Sequence, residues 1–151
     1  VETMARLFEL KNIVGVKDAT GDLNRAEQQQ KIMGDKFIML TGEDANALEF
    51  NKKGGRGCIS VTANVAAKLC SEMQSASLTR DDLKLQKKAE DIYKLLTPLN
   101  KSLFIESNPS PVKYAASLLK LSTDDVRLPL VKITDPTKSA VEQALKYAHL
   151  I

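Results

Sequence analysis

The chain has 151 residues, 43% hydrophobic and 27% charged, with a formal net charge of +3. That is long enough and apolar enough for an ordinary globular domain with a real core. Acids interrupt its lysines, which excludes the massed basic face of a nucleic-acid binder. No apolar stretch approaches the ~20 residues needed to span a bilayer, so no membrane association is expected. The N-terminus, Val1-Glu2-Thr3-Met4-Ala5-Arg6, has no signal-peptide layout. Cys58 and Cys70 are too few for a disulfide framework and fit no metal-ligand spacing, so they are expected to be buried, inert thiols. A cytoplasmic location follows from this reducing chemistry.

In chain order, Met4, Leu7 and Phe8 recur at helical spacing, but no capping residue precedes a full first turn. Asn12 to Lys17 is rich in β-branched residues and bounded by Thr20-Gly21-Asp22, which predicts a buried strand. Leu23 to Met33 is predicted as a helix closed by Gly34. Phe37 to Thr41 is a second apolar run, Glu43 to Lys53 a helix, Cys58 to Val61 a third short strand, and Asn64 to Ala76 a further helix. Strands apolar throughout are expected in parallel sheets covered on both faces. From Thr79 onward the strands stop. Thr79 and Asp82 resemble a capping box, and Leu85, Ala89, Ile92 and Leu96 continue at helical spacing until Pro98, which should end that helix. Pro109 and Pro111 bracket the entry to another helix, and Asp135-Pro136 starts a last one. The expected organisation is about three β/α units over residues 1–78 and an all-helical part over 79–151. Three units do not close a (β/α)8 barrel, which needs eight strands. The pattern predicts either a small open α/β sheet or the C-terminal part of such a barrel, and the uncapped start favours the second.

Lys17 is the sharpest candidate for chemistry. Residues two apart in a strand share a face, so Ile13, Gly15 and Lys17 should point one way, with Gly15 leaving space beside the lysine stem. The C-terminal end of a parallel barrel strand is where active sites are assembled. Partial burial there would disfavour an ammonium ion and favour a nucleophilic amine. A strand-end lysine reaching into solvent is the bland alternative. The loop Asp18-Ala19-Thr20-Gly21-Asp22 offers hydroxyl, carboxylate and backbone N–H groups beside it, or simply a turn. Thr41-Gly42-Glu43-Asp44 ends the second strand, where Gly42 would let backbone approach a ligand and the two acids could instead stabilise a helix start. Gly54, Gly55 and Gly57 do not form a dinucleotide-binding fingerprint. Ser60 has no nearby histidine, since the only one is His149, so neither a serine hydrolase nor a zinc site is expected. The stretch Glu106 to Lys113, with prolines at alternate positions, is expected to be a rigid connector.

Four segments in this order resemble the dihydrodipicolinate synthase family. They are Gly15-Val16-Lys17-Asp18-Ala19-Thr20-Gly21, Thr41-Gly42-Glu43-Asp44, Gly57-Cys58-Ile59-Ser60-Val61-Thr62-Ala63-Asn64, and Glu106 to Lys113. The lysine segment is shared more widely, with N-acetylneuraminate lyase and 2-keto-3-deoxy-sugar-acid aldolases. The resemblance implies a cofactor-free lyase of lysine and diaminopimelate biosynthesis, in which Lys17 forms a Schiff base with pyruvate and the enamine attacks aspartate semialdehyde. It also implies that Ile59 lines the pyruvate pocket, Gly42 lies close to the substrates, and Thr20 belongs to the same site. A homotetramer is the implied assembly. The family's proton-relay and carboxylate-binding residues would lie upstream of Val1, in a barrel portion that this chain would need as a partner. Tyr93, Tyr114 and Tyr147 fall in the helical part and do not replace them. Alternatives are a related pyruvate aldolase acting on another aldehyde, and a non-catalytic fragment serving only oligomerisation.

Overall fold

A computed structural model describes residues 1–151. The residues form two compact units, one from Val1–Ser60 with Gln74–Ala89, the other from Val61–Met73 with Glu90–Ile151. No helix is long and apolar enough to cross a membrane.

The first unit begins with helix α1 (Glu2–Phe8), strand β1 (Gly15–Asp18), helix α2 (Leu23–Met33) and strand β2 (Ile38–Thr41). A 3₁₀ turn (Asp44–Asn46) and helix α3 (Ala47–Lys52) follow. Helix α2 has the boundaries its sequence predicts. The Asp22 carboxylate accepts a hydrogen bond from the Asn24 N–H at 2.9 Å, satisfying one otherwise unpaired first-turn donor. Gly34 stops the helix with a positive φ of 68°. β1 and β2 are parallel, with Gly15 opposite Ile38 and Lys17 opposite Leu40. Ala26, Phe37, Met39 and Phe50 form the core, against which Met4, Phe8, Val16, Leu23 and Met33 pack. Phe8 and Phe37 meet edge to face, their ring centres 5.0 Å apart. Asn51 is wholly buried and donates to Gln74 Oε1 at 2.6 Å and Ser77 Oγ at 2.8 Å.

Several expectations are corrected here. The run from Cys58 to Val61 is not a strand, because only Cys58 bridges to Thr41. β2 turns away at Gly42 into the 3₁₀ turn, leaving no further backbone for the run to pair with. Glu43 to Lys53 is likewise not one helix but that turn followed by the shorter α3. The strands are not covered on both faces: Val14 is 61% exposed and Ile38 44%. A two-stranded sheet leaves β1 with a partner on one side only.

Helices α4 (Ala63–Leu78) and α5 (Leu83–Ser102) each contribute residues to both units, and α6 (Ser110–Leu118) and α7 (Asp135–Tyr147) belong to the second. At the start of α5 no reciprocal capping box forms. Asp82 caps it alone, accepting from Lys84 N at 2.8 Å and Leu85 N at 3.1 Å. Pro98 does not end α5, which runs on to Ser102. A proline inside a helix costs about 3 kcal/mol, but Leu96, Leu99 and Leu103 on its flanks are buried, and each such side chain contributes roughly 1.5–3 kcal/mol. The second unit buries Val112, Ala115, Ile133, Val141 and Leu145. Within it, the Glu106 carboxylate accepts from the Thr134 backbone N–H at 2.9 Å and its hydroxyl at 2.8 Å. Bonds from the Thr137 side chain and from the Thr134 backbone and side chain hold this carboxyl below the usual range and tie the connector to the residue that precedes α7.

Candidate active site

Alternation along β1 separates two roles. Val16 and Asp18 share the face covered by α2, whereas Gly15 and Lys17 occupy the other. Lys17 is exposed, not partly buried as its strand position suggested, because the face of β1 that carries it is not covered as the α2 face is. It takes part in no hydrogen bond or ion pair. The space beside its stem comes from a different glycine than expected. A Cβ built on Gly15 would strike the backbone of Ile38, so that glycine serves the close approach of the two strands. On Gly42 a Cβ would lie 2.6 Å from Lys17 Cε and 2.8 Å from Ala19 Cβ, so Gly42 is the residue that clears room for the lysine.

The lysine's neighbour Asp18 holds the strand end in place. Its buried carboxylate accepts four hydrogen bonds: from Thr20 N (2.9 Å), Thr20 Oγ1 (2.6 Å), Arg25 Nε (3.0 Å) and Gln29 Nε2 (3.1 Å). Burial pushes this carboxyl up, but the bonds from Thr20, Arg25 and Gln29 outweigh it and hold it below the ordinary aspartate range. Thr20 is thereby tied into the loop, with its oxygen also accepting from Asp22 N at 3.3 Å. A second tether joins this loop to the end of β2. Thr41 Oγ1 donates to Asn46 Oδ1 at 2.9 Å, and Asn46 Nδ2 donates to Gly21 O at 3.4 Å.

Glu43 caps the 3₁₀ turn through Ala45 N at 3.4 Å, the helix-start role weighed for it. Asp44 is buried and accepts a short hydrogen bond from Ser60 Oγ, with Cys58 Sγ 4.0 Å away. Both cysteines are free thiols, but only Cys70 is buried; Cys58 is half-buried beside that aspartate. Ile59 is 51% exposed and donates its N–H to Thr41 O at 2.8 Å. Lys17, Gly42 and Ile59 therefore emerge at the same, C-terminal end of the parallel pairing, and Thr20 lies in the loop leaving it. Ligands of open parallel sheets bind outside that end.

Arg25, Gln29 and Asn46 were not singled out by the sequence, and Asp18 only as the carboxylate of the loop beside Lys17. Two signals were available: the Asp-x-Thr spacing of a side-chain-to-backbone turn, and Arg25 and Gln29 four apart on one helix face.

The sequence pattern of the dihydrodipicolinate synthetase family matches residues 1–148. The chain belongs to that family. A relative from Pelagibacter ubique, a 4-hydroxy-tetrahydrodipicolinate synthase, is 63% identical over the whole chain, which covers 51% of that protein. Among solved structures, dihydrodipicolinate synthase from Thermotoga maritima superposes with a TM-score of 0.92 at 32% identity, the match covering 99% of this chain and 51% of that one. The chloride-inhibited enzyme from Acinetobacter baumannii, solved in complex with pyruvate, gives 0.91 at 37% identity, with 99% and 50% covered. The chain thus spans about half the length of the family members it matches.

Proposed function

We propose that this chain is the C-terminal half of a (β/α)8-barrel lyase that condenses pyruvate with aspartate semialdehyde to 4-hydroxy-tetrahydrodipicolinate. Residues 1–78 supply barrel elements and the Schiff-base lysine, and residues 79–151 the helical C-terminal domain. The observation that carries the reading is Lys17 at the C-terminal end of β1, unpaired, with Gly42 keeping the space beside its stem open, in a chain of this family. Neutral Lys17 Nζ attacks the keto carbon of pyruvate, and loss of water leaves an imine. The positive imine nitrogen then accepts the electron pair left when a methyl proton departs, giving an enamine. Its carbon attacks the aldehyde of the second substrate. Attack of that substrate's amine on the imine carbon closes the ring and expels Lys17. Ile59 and Gly42 contribute to the pyruvate-binding wall, and Thr20 to the loop beside it. The proton-relay and carboxylate-binding groups come from the upstream half, and the assembled enzyme is a homotetramer.

The test uses a chimera of residues 1–151 with the upstream half of the 63% identical relative. Borohydride with pyruvate should reduce an adduct onto Lys17, located by peptide mass, and Lys17→Arg should abolish it. An adduct on another lysine refutes the assignment. Competition between aspartate semialdehyde and sugar-type aldehydes separates this activity from that of a related pyruvate aldolase.

A further inference from the structure

We propose that Asp18 is a positioning residue for Lys17, acting through the backbone of β1 and never touching substrate; the proposal rests on Lys17 being the Schiff-base lysine. Lys17 has no side-chain tether of its own. Where its Nζ points is therefore decided by its backbone and by the packing of its stem. Its backbone is fixed from the residue beside it. Asp18 lies on the opposite face of the strand, is 7% exposed, and grips both the outgoing loop and helix α2 through Thr20, Arg25 and Gln29. The backbone carbonyl of the same residue accepts from Gly42 N at 2.8 Å, which locks the strand end against the glycine that borders the lysine stem. One residue thus sets the distance between the amine-bearing strand and the wall beside it.

The charge arrangement fits this role. A carboxylate beside a nucleophilic lysine could capture it as an ammonium ion pair. Here Arg25 satisfies that carboxylate, and strand alternation turns it away from Nζ. Asp18 therefore holds geometry without holding the lysine's proton.

Gln29 permits a test that separates positioning from stability. Its Nε2 donates to Asp18, but its Oε1 is buried with no partner. Gln29→Met keeps the volume, removes one of the Asp18 bonds and also removes the orphan oxygen, two effects of opposite sign on stability. In the chimera, single-turnover borohydride trapping is followed against pyruvate concentration, alongside thermal melting. Asp18→Asn should slow the saturating trapping rate by about 100-fold and Gln29→Met by about tenfold, since a misplacement near 1 Å costs on that order. Half-saturating pyruvate should move less than about twofold, because a group that does not touch substrate does not contribute to its binding. Loss of the Asp18→Asn fold is covered by Gln29→Met, which should melt within a few degrees of wild type. A Gln29→Met protein that traps at the wild-type rate overturns the inference. So does a rise in half-saturating pyruvate at unchanged saturating rate, which would make Asp18 a binding residue. Failure of the wild-type chimera to trap pyruvate on Lys17 rejects the proposed function itself, a separate result from either of these.

Discussion

Replacing Gly42 by alanine adds one methyl group at the point where the structure leaves room for the lysine stem. The new Cβ would sit 2.6 Å from Lys17 Cε and 2.8 Å from Ala19 Cβ, whereas carbon atoms prefer about 3.5–4.0 Å. Each neighbour must therefore retreat by roughly 1 Å. Gly42 does not have a positive φ, so alanine adopts the same backbone without strain and the effect is purely steric. The two contacts respond differently. The Lys17 stem is exposed and can swing away at little cost, while Ala19 Cβ moves only with its backbone. Overpacking of this kind costs about 1–3 kcal/mol, and the lysine's freedom places Gly42→Ala near the lower end. Activity should suffer far more than stability. Displacing the nucleophile by about 1 Å is expected to slow pyruvate trapping on Lys17 by about 100-fold. Thermal melting of the 151-residue chain and borohydride trapping in the chimera measure the two effects separately. Trapping by Gly42→Ala at the wild-type rate would refute the argument that this glycine exists to make room for Lys17.

The core of the first unit gives a larger stability effect: Phe37→Ala removes a ring that is 2% exposed and its edge-to-face partner contact with Phe8, and chemical denaturation should show a loss of about 3–5 kcal/mol. Because the folded-state pKa of Asp18 is depressed, its contribution is present above the ordinary aspartate value and is lost as pH falls through the folded value. Urea midpoints should therefore decline below about pH 4, and less steeply in Asp18→Asn; parallel acid profiles for the two proteins contradict this. The Tyr114 hydroxyl donates to Glu142 Oε1 at 2.5 Å, and that bond, with burial and the glutamate's charge, pushes its pKa up to about 12. In a phenolate absorbance titration Tyr114→Phe should delete an ionisation step near pH 12. The associated stability is intact below the ordinary tyrosine value near pH 10 and is lost as pH rises towards the folded one.

Much of the local structure was legible from neighbouring residues alone. Helix α2 was readable to the residue because its start and stop are chemical: an Asp22 side chain that caps, and a Gly34 that accepts a positive φ. Lys17 stood out because a charged residue closes an apolar run. The third strand was misread because apolar β-branched residues state a preference for extended backbone, while pairing requires a neighbour that β2 stops supplying at Gly42. Pro98 was misread for the converse reason: its local cost is certain, but the buried leucines flanking it that outweigh this cost belong to the packed helix.

For the candidate site, the sequence by itself determined which residue types stand at the C-terminal ends of the two strands: an amine at Lys17 and a side-chain-free position at Gly42. These follow from order along the chain and from the two-residue period of a strand. Only the tertiary structure decided that Gly42 rather than Gly15 makes room for Lys17, that the lysine is exposed and untethered, and that Asp18 is buried beneath it in the grip of Arg25 and Gln29. The physical reason is that clearance, burial and electrostatic partnership depend on the distance between segments remote in sequence, here β1 against β2 and against α2. No single segment encodes that distance; it is set when the hydrophobic faces of β1, β2 and α2 pack around Met39 and Ala26.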